Sequence, residues 1–161
     1  MKQKDDRARG KLEIKPLTAE FASAAAELEA VCFSQPRSEK ALIEETEMEL
    51  YHDLAAFSDG AFCGYIGVCE LFDRADVTSL AVFPEYRGQR TGGSLLSAAL
   101  EGAKERGRES MSLEVRISNI PAITLYKSKG FKIIGERKNF YSHPVEDGLI
   151  MSKDLRGNDD K

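Results

Sequence analysis

The chain of 161 residues lacks the features that would place it in a membrane or in the secretory pathway. No apolar run approaches the roughly 20 residues that a membrane-spanning helix needs. Residues 1–7 are charged and contain no apolar stretch of the kind found in a secretory signal. We therefore expect a cytoplasmic protein without a membrane partner.

Cysteine and histidine are scarce, with three cysteines and two histidines. Cys32, Cys63 and Cys69 include no CxxC pair, and neither His52 nor His143 has a ligand-like spacing to a cysteine, so no metal site is predicted. Cys63 and Cys69 lie an even number of residues apart and would share one face of a regular strand. We interpret the cysteines as small core residues in a reducing compartment.

Positive charge is not in excess, since 23 basic residues face 27 acidic ones and the formal net charge is −4. This balance argues against a nucleic-acid partner, because such binding relies on neutralising phosphates with Lys and Arg. A negative body instead favours cationic substrates such as amines or basic peptides.

Hydrophobic periodicity predicts one α/β domain, with a core over residues 11–154 and polar tails at 1–10 and 155–161. Seven strands are predicted, over residues 12–16, 53–58, 61–71, 75–82, 110–116, 131–141 and 148–154. Four helices are predicted, over residues 19–32, 39–49, 92–106 and 120–129. Thr18 and Ser38 are the predicted caps of the first two helices, and Gly107 and Gly130 end the last two.

The order of these elements predicts an antiparallel meander followed by one βαβ crossover. Asp59-Gly60 is a strong hairpin signal between the second and third strands. Asp73-Arg74 is the predicted turn between the third and fourth strands. The helix beginning near Gly92 would then lead from the fourth strand to the fifth.

A glycine-rich loop, residues 86–93, separates that fourth strand from its helix. The first amides of a helix have no intrahelical partner and carry partial positive charge, so this order of elements makes an anion site. Arg87 and Arg90 add two positive charges and indicate a phosphate-bearing ligand. The loop lacks the Lys-Ser/Thr of a nucleotide P-loop, and no GxGxxG follows an early strand. On these residues alone, a flexible surface loop is the alternative.

Two motifs add a resemblance to a family. Residues 80–96, LAVFPEYRGQRTGGSLL, resemble the acetyl-CoA loop of the GNAT N-acetyltransferases. Residues 119–131 resemble the Asn-x-x-Ala-x-x-Leu-Tyr-x-x-x-Gly-Phe segment of the same family. The resemblance implies a mixed, mostly antiparallel central sheet with helices on both faces and a splayed central strand pair. It also implies transfer of an acetyl group from acetyl-CoA, as cosubstrate, to an amine.

The resemblance further implies which residues hold the cosubstrate. Backbone groups of Leu80, Ala81 and Val82 would pair with the pantetheine arm, and Asn119 would bond the pantetheine or phosphate region. The pyrophosphate would lie against the loop residues Arg87, Gly88, Gln89, Arg90, Thr91, Gly92 and Gly93. An ungapped alignment places Arg90 where the family has a glycine. If that position needs a positive φ, the arginine costs about 1–2 kcal/mol.

A narrower resemblance, to the ribosomal-protein alanine N-acetyltransferases (the RimI-like group), implies the catalytic and acceptor residues. Glu114 would be the general base, through a water, and Tyr126 the general acid for the departing thiolate. Phe33, Arg37 and Tyr141 fall in segments that line the acceptor site of that group. The alternative for Glu114 is a solvated strand residue paired with Arg116 or Lys132. Tyr126 could instead be a packing residue with its hydroxyl bonded to water, and Tyr141 ordinary strand filler.

An α-amine suits this chemistry better than a lysine amine. Its reference pKa of about 7.7–8.0 leaves much of it neutral near neutral pH, whereas the lysine value is about 10.4. Three hypotheses follow: acetylation of a protein N-terminus, acetylation of a small amine such as a polyamine, amino acid or aminoglycoside, or a CoA-binding module without turnover. Both a monomer and a homodimer are compatible with the sequence.

Overall fold

The computed structural model describes residues 11–157. Seven strands form the sheet: β1 Leu12–Pro16, β2 Leu54–Ser58, β3 Ala61–Leu71, β4 Arg74–Val82, β5 Ser110–Arg116, β6 Lys132–Tyr141 and β7 Glu146–Asp154. The α-helices of this part of the chain are α1 Ala22–Cys32, α2 Glu39–Thr46, α3 Thr91–Glu105 and α4 Ile120–Ser128. Short 3₁₀ helices span Ala19–Phe21 and Pro84–Tyr86. None of the helices in residues 11–157 is long and apolar enough to cross a membrane.

The strands form one mixed sheet in the order β1-β2-β3-β4-β5-β7-β6. Among the strands of residues 11–157, only β4 and β5 run parallel, and α3 connects them as the predicted crossover. All other neighbours are antiparallel. The predicted fold, with a mostly antiparallel sheet, is confirmed.

The central pair β4 and β5 is joined over a short stretch. Their pairing is confined to residues Arg74–Asp76 of β4 and Ser110–Ser112 of β5. Beyond it the two strands separate, and a bulge follows at once on β4, where Gly67 of β3 opposes Ser79 and Val68 opposes Val77. Thr78 is therefore the extra residue, and the bulge bends β4 as β-bulges do. The predicted splay is present.

Helices cover both faces of the sheet, because β-strand side chains alternate between two apolar clusters. The α3 and α4 face buries Leu95, Leu96 and Ile123 against Met111 and Leu113. The α1 and α2 face buries a second set: Ala22, Ala25, Leu28, Leu42, Ala55, Phe57, Tyr65 and Ala81. Leu95 and Leu96 are fully buried, which contributes about 1.5–3 kcal/mol each.

Two predictions about the first helix pair were wrong. The Thr18 side chain makes no capping hydrogen bond, and the chain turns through a 3₁₀ helix before α1 begins at Ala22. The second helix ends at Thr46 rather than near residue 49. Ser38 does cap α2, since its Oγ accepts a hydrogen bond from the Ala41 amide at 3.1 Å. This bond satisfies one of the unpaired amides at the helix start.

The hairpin prediction at Asp59-Gly60 is confirmed, with φ of 50° and 85° at the two residues. The β3–β4 turn was misplaced by one residue, because it is formed by Phe72 and Asp73 and β4 already includes Arg74. Leu155 was assigned to a polar tail, but it is 3% exposed and packs in the α3 and α4 cluster. The predicted tails at residues 1–10 and 158–161 lie outside the described residues.

The prediction that Cys63 and Cys69 share a face was also wrong. Cys63 is an extra residue at a bulge between β2 and β3, where Ala56 opposes Gly64 and Phe57 opposes Phe62. The bulge reverses the alternation, so Cys63 packs beneath α3 while Cys69 lies on the other face, beside Tyr51. Cys32, Cys63 and Cys69 are free thiols.

Candidate active site

The gap between β4 and β5 exposes one edge of β4 along Leu80, Ala81 and Val82. These residues pair with Ile66, Tyr65 and Gly64 of β3 through their other edge. In the described part of the chain, no strand pairs with them on the β5 side, since the β4–β5 ladder ends at Asp76. An unpaired strand edge presents backbone donors and acceptors to an extended ligand. The geometry fits a strand-like pantetheine arm.

The loop that follows β4 leads into α3, and the first amides of this helix are unpaired within it. The helix begins at Thr91, with Arg90 as the N-cap at φ 68° and ψ 12°, and Gly88 has φ 76°. The first intrahelical bond runs from the Ser94 amide to the Arg90 carbonyl at 2.9 Å. The amides of residues 91–93 thus have no acceptor within the helix and point at the loop, as in an anion site. Arg90 does occupy a left-handed position.

A groove of about 850 Å³ lies beside this helix start, between α3 and α4. Gln89, Arg90, Thr91 and Gly93 line it, which brings four of the predicted loop residues together. Lys129 of the α4 end also lines it, and its Nζ lies 3.8 Å from where a Gly93 Cβ would stand. Lys129 was not predicted as a site residue, because the pairing of the two helix ends depends on tertiary packing. The groove is cationic at its loop end.

Two other predicted cosubstrate residues have intramolecular partners. The Arg87 Nε donates to the Val82 carbonyl at 3.0 Å, and its Nη2 lies 3.3 Å from Cys32 Sγ. The Asn119 Oδ1 caps α4 by accepting from the Ala122 amide at 3.2 Å. Arg87 therefore lies at the end of the open β4 edge, whereas Asn119 begins the helix that flanks the groove.

The candidate base, Glu114, lies on the part of β5 that has left β4. Its neighbours Leu113 and Val115 are buried on the α3 and α4 face, so Glu114 points to the opposite face. The carboxylate Oε2 pairs with Arg137 Nε of β6 at 3.0 Å, with side-chain exposures of 36% and 54%. A pair this exposed contributes about 0–1 kcal/mol, so an incoming cation can replace Arg137 at little cost.

The candidate acid, Tyr126, is 7% exposed and packs against Phe131 with ring centroids 5.9 Å apart. Burial, with a smaller effect from Tyr141, raises its pKa to about 12. Within residues 11–157 the hydroxyl makes no hydrogen bond. Tyr126 thus keeps its proton at neutral pH and has a donor to offer.

Tyr141 is half-buried beside Glu114 and Arg116. Burial and then the Glu114 charge raise its pKa to about 12. The Arg116 guanidinium lies 4.6 Å from its ring centroid. Gly148 of β7 lies under it, since a Cβ there would stand 3.1 Å from Tyr141 Cε2 and 3.3 Å from Phe140 Cδ2. The aromatic pair therefore needs a glycine at this position.

The other two predicted acceptor residues, Phe33 and Arg37, belong to the loop between α1 and α2. Phe33 is 37% exposed. Arg37 instead joins a polar network, pairing with Glu45 and donating from Nη1 to Thr78 Oγ1 at 3.0 Å. The Arg37 amide donates to Glu29 Oε1 at 2.9 Å. Arg37 thus fixes the loop to the β4 bulge.

Asp53 lies at the base of this network with 7% exposure. Its Oδ1 accepts from the Val68 amide at 2.9 Å, while Oδ2 has no partner among residues 11–157. Burial raises its pKa to about 6, against the lowering effects of the Val68 bond and of Arg37. Within residues 11–157, no group of His, Cys, Asp and Glu side chains is arranged to hold a metal ion.

The splayed β4–β5 pair, the unpaired amides at the start of α3 and the candidate residues Glu114 and Tyr126 are the arrangement expected of an acetyltransferase. The model of the acetyltransferase (GNAT) family matches residues 22–131. The chain belongs to this family, and it is an enzyme that transfers acetyl groups from acetyl-CoA to an amine. The predicted family is confirmed.

Several members of the family are similar to this chain over most of its length. The chain is 42% identical over 126 residues to a putative [ribosomal protein bS18]-alanine N-acetyltransferase of Bacillus subtilis, covering 78% of this chain and 83% of the relative. It is 33% identical over 131 residues to the [ribosomal protein bS18]-alanine N-acetyltransferase of Escherichia coli, covering 80% and 88%. A crystal structure of the ribosomal-protein-S18-alanine N-acetyltransferase from Escherichia coli matches with a TM-score of 0.84 and 29% identity, over 92% of this chain and 98% of that one.

Proposed function

We propose that this enzyme acetylates the N-terminal α-amine of a protein, and that an N-terminal alanine of a ribosomal protein is its acceptor. The observation that carries the proposal is the position of Glu114, which lies on the open part of β5 and has Tyr141 within electrostatic range. The relatives named for N-terminal alanine acetylation support the choice of acceptor. They also support a cytoplasmic location, where ribosomal proteins are found.

Acetyl-CoA would supply the acetyl group as an activated thioester. The open edge of Leu80–Val82 would hold the pantetheine arm, and the amides of residues 91–93 would hold the phosphates. Gly88 and Arg90 give the loop its left-handed turns. The Arg90 and Lys129 side chains would add positive charge along the groove.

Glu114 would accept the ammonium proton through a water and leave the amine neutral. An α-amine needs little assistance, because its pKa of about 7.7–8.0 lies close to neutral pH. Arg137 holds the carboxylate in place before the acceptor enters, and the ammonium would then take its position. The ammonium of the acceptor would thus replace Arg137 as the partner of the Glu114 carboxylate at a small cost in free energy.

Tyr126 would stabilise the departing thiolate by donating a hydrogen bond. With its pKa near 12, full proton transfer to a thiolate of pKa about 8.5 would be uphill by about 5 kcal/mol. A charge-assisted hydrogen bond needs no such transfer and is stronger than a neutral one. We therefore assign Tyr126 as a donor to the developing negative charge rather than as a full acid.

The experiment compares three acceptors with acetyl-CoA, reading thiol release. They are a peptide with a free N-terminal alanine, the same peptide with a blocked N-terminus and an internal lysine, and a set of polyamines, amino acids and aminoglycosides. We expect thiol release with the free peptide alone. Release with a small amine but not with the peptide would overturn the proposed acceptor.

A further inference from the structure

We propose that Arg116 is a positioning residue, which fixes the spacing of the two loops that flank the acceptor. The inference rests on the proposed function, because it assumes that a peptide binds between these loops. Arg116 ends β5, two residues beyond Glu114, so both side chains point to the same face of the sheet. It lies 4.6 Å from the ring centroid of Tyr141. Within residues 11–157, its hydrogen-bond partners lie neither on the open edge of β4 nor at the start of α3.

Among residues 11–157, three of its four hydrogen-bond partners lie in residues 142–146, which form the turn after β6 and the first residue of β7. Arg116 Nη2 donates to the Ser142 carbonyl at 3.1 Å. Nη1 donates to the Pro144 carbonyl at 2.9 Å and to Glu146 Oε1 at 3.1 Å. One guanidinium thus holds both ends of a turn that follows Tyr141 directly.

The opposite loop, between α1 and α2, is tied to the same group. Arg116 Nη2 also lies 3.4 Å from Ser34 Oγ, and Ser34 Oγ donates to the Ser142 carbonyl at 3.3 Å. Ser34 follows Phe33, and Ser142 follows Tyr141. Two of the three side chains predicted to line the acceptor site, Phe33 and Tyr141, therefore each adjoin a residue that Arg116 holds.

Glu146 extends the link to a third segment. Its Oε2 accepts from the Ser118 amide at 2.7 Å while Oε1 accepts from Arg116. The side chains of Arg116 and Glu146 are only 23% and 17% exposed. The ion pair between Arg156 and Asp154 has exposures of 68% and 54% and lies at the other end of β7. Arg156 is therefore a matched control for Arg116.

Arginine is needed here because its planar fork directs several donors to separate acceptors at once. A lysine offers one compact ammonium and cannot reach Ser34, Ser142 and Glu146 together. An Arg116→Lys variant keeps the positive charge but loses hydrogen bonds that fix the distance between the two loops. The expected consequence is weaker peptide binding with an intact acetyl-CoA site.

The test measures kcat and both KM values for Arg116→Lys, Arg156→Lys and the wild-type enzyme. For Arg116→Lys we expect the KM of a peptide with N-terminal alanine to rise roughly tenfold, with the KM of acetyl-CoA unchanged. Arg156→Lys should match the wild type. A merely destabilised enzyme would instead lose active fraction, so that kcat falls while neither KM changes. That result, or equal rises in both KM values, overturns the inference.

A milder variant covers the case in which Arg116→Lys does not fold. Ser34→Ala removes the cross-loop hydroxyl from an exposed part of the loop and should raise the peptide KM by a smaller factor. An unchanged peptide KM for Ser34→Ala would then overturn the inference. If the wild-type enzyme itself does not acetylate the peptide, the proposed function fails together with the inference. If the wild type is active and only the variants show no effect, the inference alone fails.

Discussion

Arg90 should strain the backbone at the start of α3, and glycine should relieve that strain. Its φ of 68° is left-handed, and its exposed side chain makes no hydrogen bond or ion pair with the described residues. Arg90→Ala removes the side chain and keeps the strain, whereas Arg90→Gly removes both. The left-handed conformation costs a non-glycine residue about 1–2 kcal/mol, and the extra freedom of glycine in the unfolded chain offsets about 0.4–1 kcal/mol of the gain.

We therefore expect Arg90→Gly to unfold with a free energy about 1 kcal/mol above that of Arg90→Ala. For a chain of this size, the difference in Tm should be about 2–4 °C. Urea titration without ligand measures the free energy of unfolding for both variants. Equal stability of the two variants, or a less stable glycine variant, would refute the strain.

The same pair separates strain from charge in cosubstrate binding. If Arg90 contacts a phosphate, both variants should bind acetyl-CoA more weakly than the wild type, and the loss should shrink as salt screens the charge. Arg74→Ala is the control for losing one positive charge, since Arg74 pairs with Asp76 at the far end of β4. Titration calorimetry at two salt concentrations gives the affinities. Unchanged affinity in both variants would exclude the contact.

Four further variants test the roles of a buried carboxyl, the two candidate catalytic residues and a close-packed glycine. The wild-type protein should lose about 2–3 kcal/mol of stability as pH rises from about 4 to 6, because the raised pKa of Asp53 makes the folded state bind the proton more tightly than the unfolded chain. Asp53→Asn should abolish this loss. The same pH dependence of the free energy of unfolding in both proteins, measured by urea unfolding, would contradict the prediction. Glu114→Gln should lower kcat/KM most at low pH, by roughly 10–100-fold. Tyr126→Phe should lower kcat by a similar factor and leave the acetyl-CoA affinity unchanged. Near-wild-type pH–rate profiles for both variants would exclude the proposed roles of Glu114 as base and of Tyr126 as donor to the thiolate. Gly148→Ala should cost about 1–3 kcal/mol in a urea titration by pressing on Tyr141, whereas unchanged stability would show that the ring moves freely.

Local signals in the sequence predicted the sheet and several turns well. Ser38 caps α2 and Asp59-Gly60 forms a hairpin because each depends on neighbours a few residues away. The loop before α3 was also predicted from local sequence, because glycines and arginines are clustered there. The family resemblance supplied the splay, which periodicity alone does not indicate.

The missed features depend on contacts between distant residues. The bulge at Thr78 adds one residue to a strand with otherwise regular alternation of side chains. No residue type at this position predicts a bulge. The bulge at Cys63 reversed a prediction based on even spacing for the same reason. Arg137 beside Glu114 and Lys129 beside Gly93 follow from how strands and helices pack, which spacing does not encode.

The site of the acetyl group on a product tests the central claim most directly. A peptide with a free N-terminal alanine and an internal lysine is incubated with the enzyme and acetyl-CoA, and tandem mass spectrometry locates the modification. We expect one acetyl group on the α-amine and none on the lysine, with the signal strongly reduced by Glu114→Gln. Acetylation of the lysine, or α-acetylation that Glu114→Gln leaves unchanged, would contradict it.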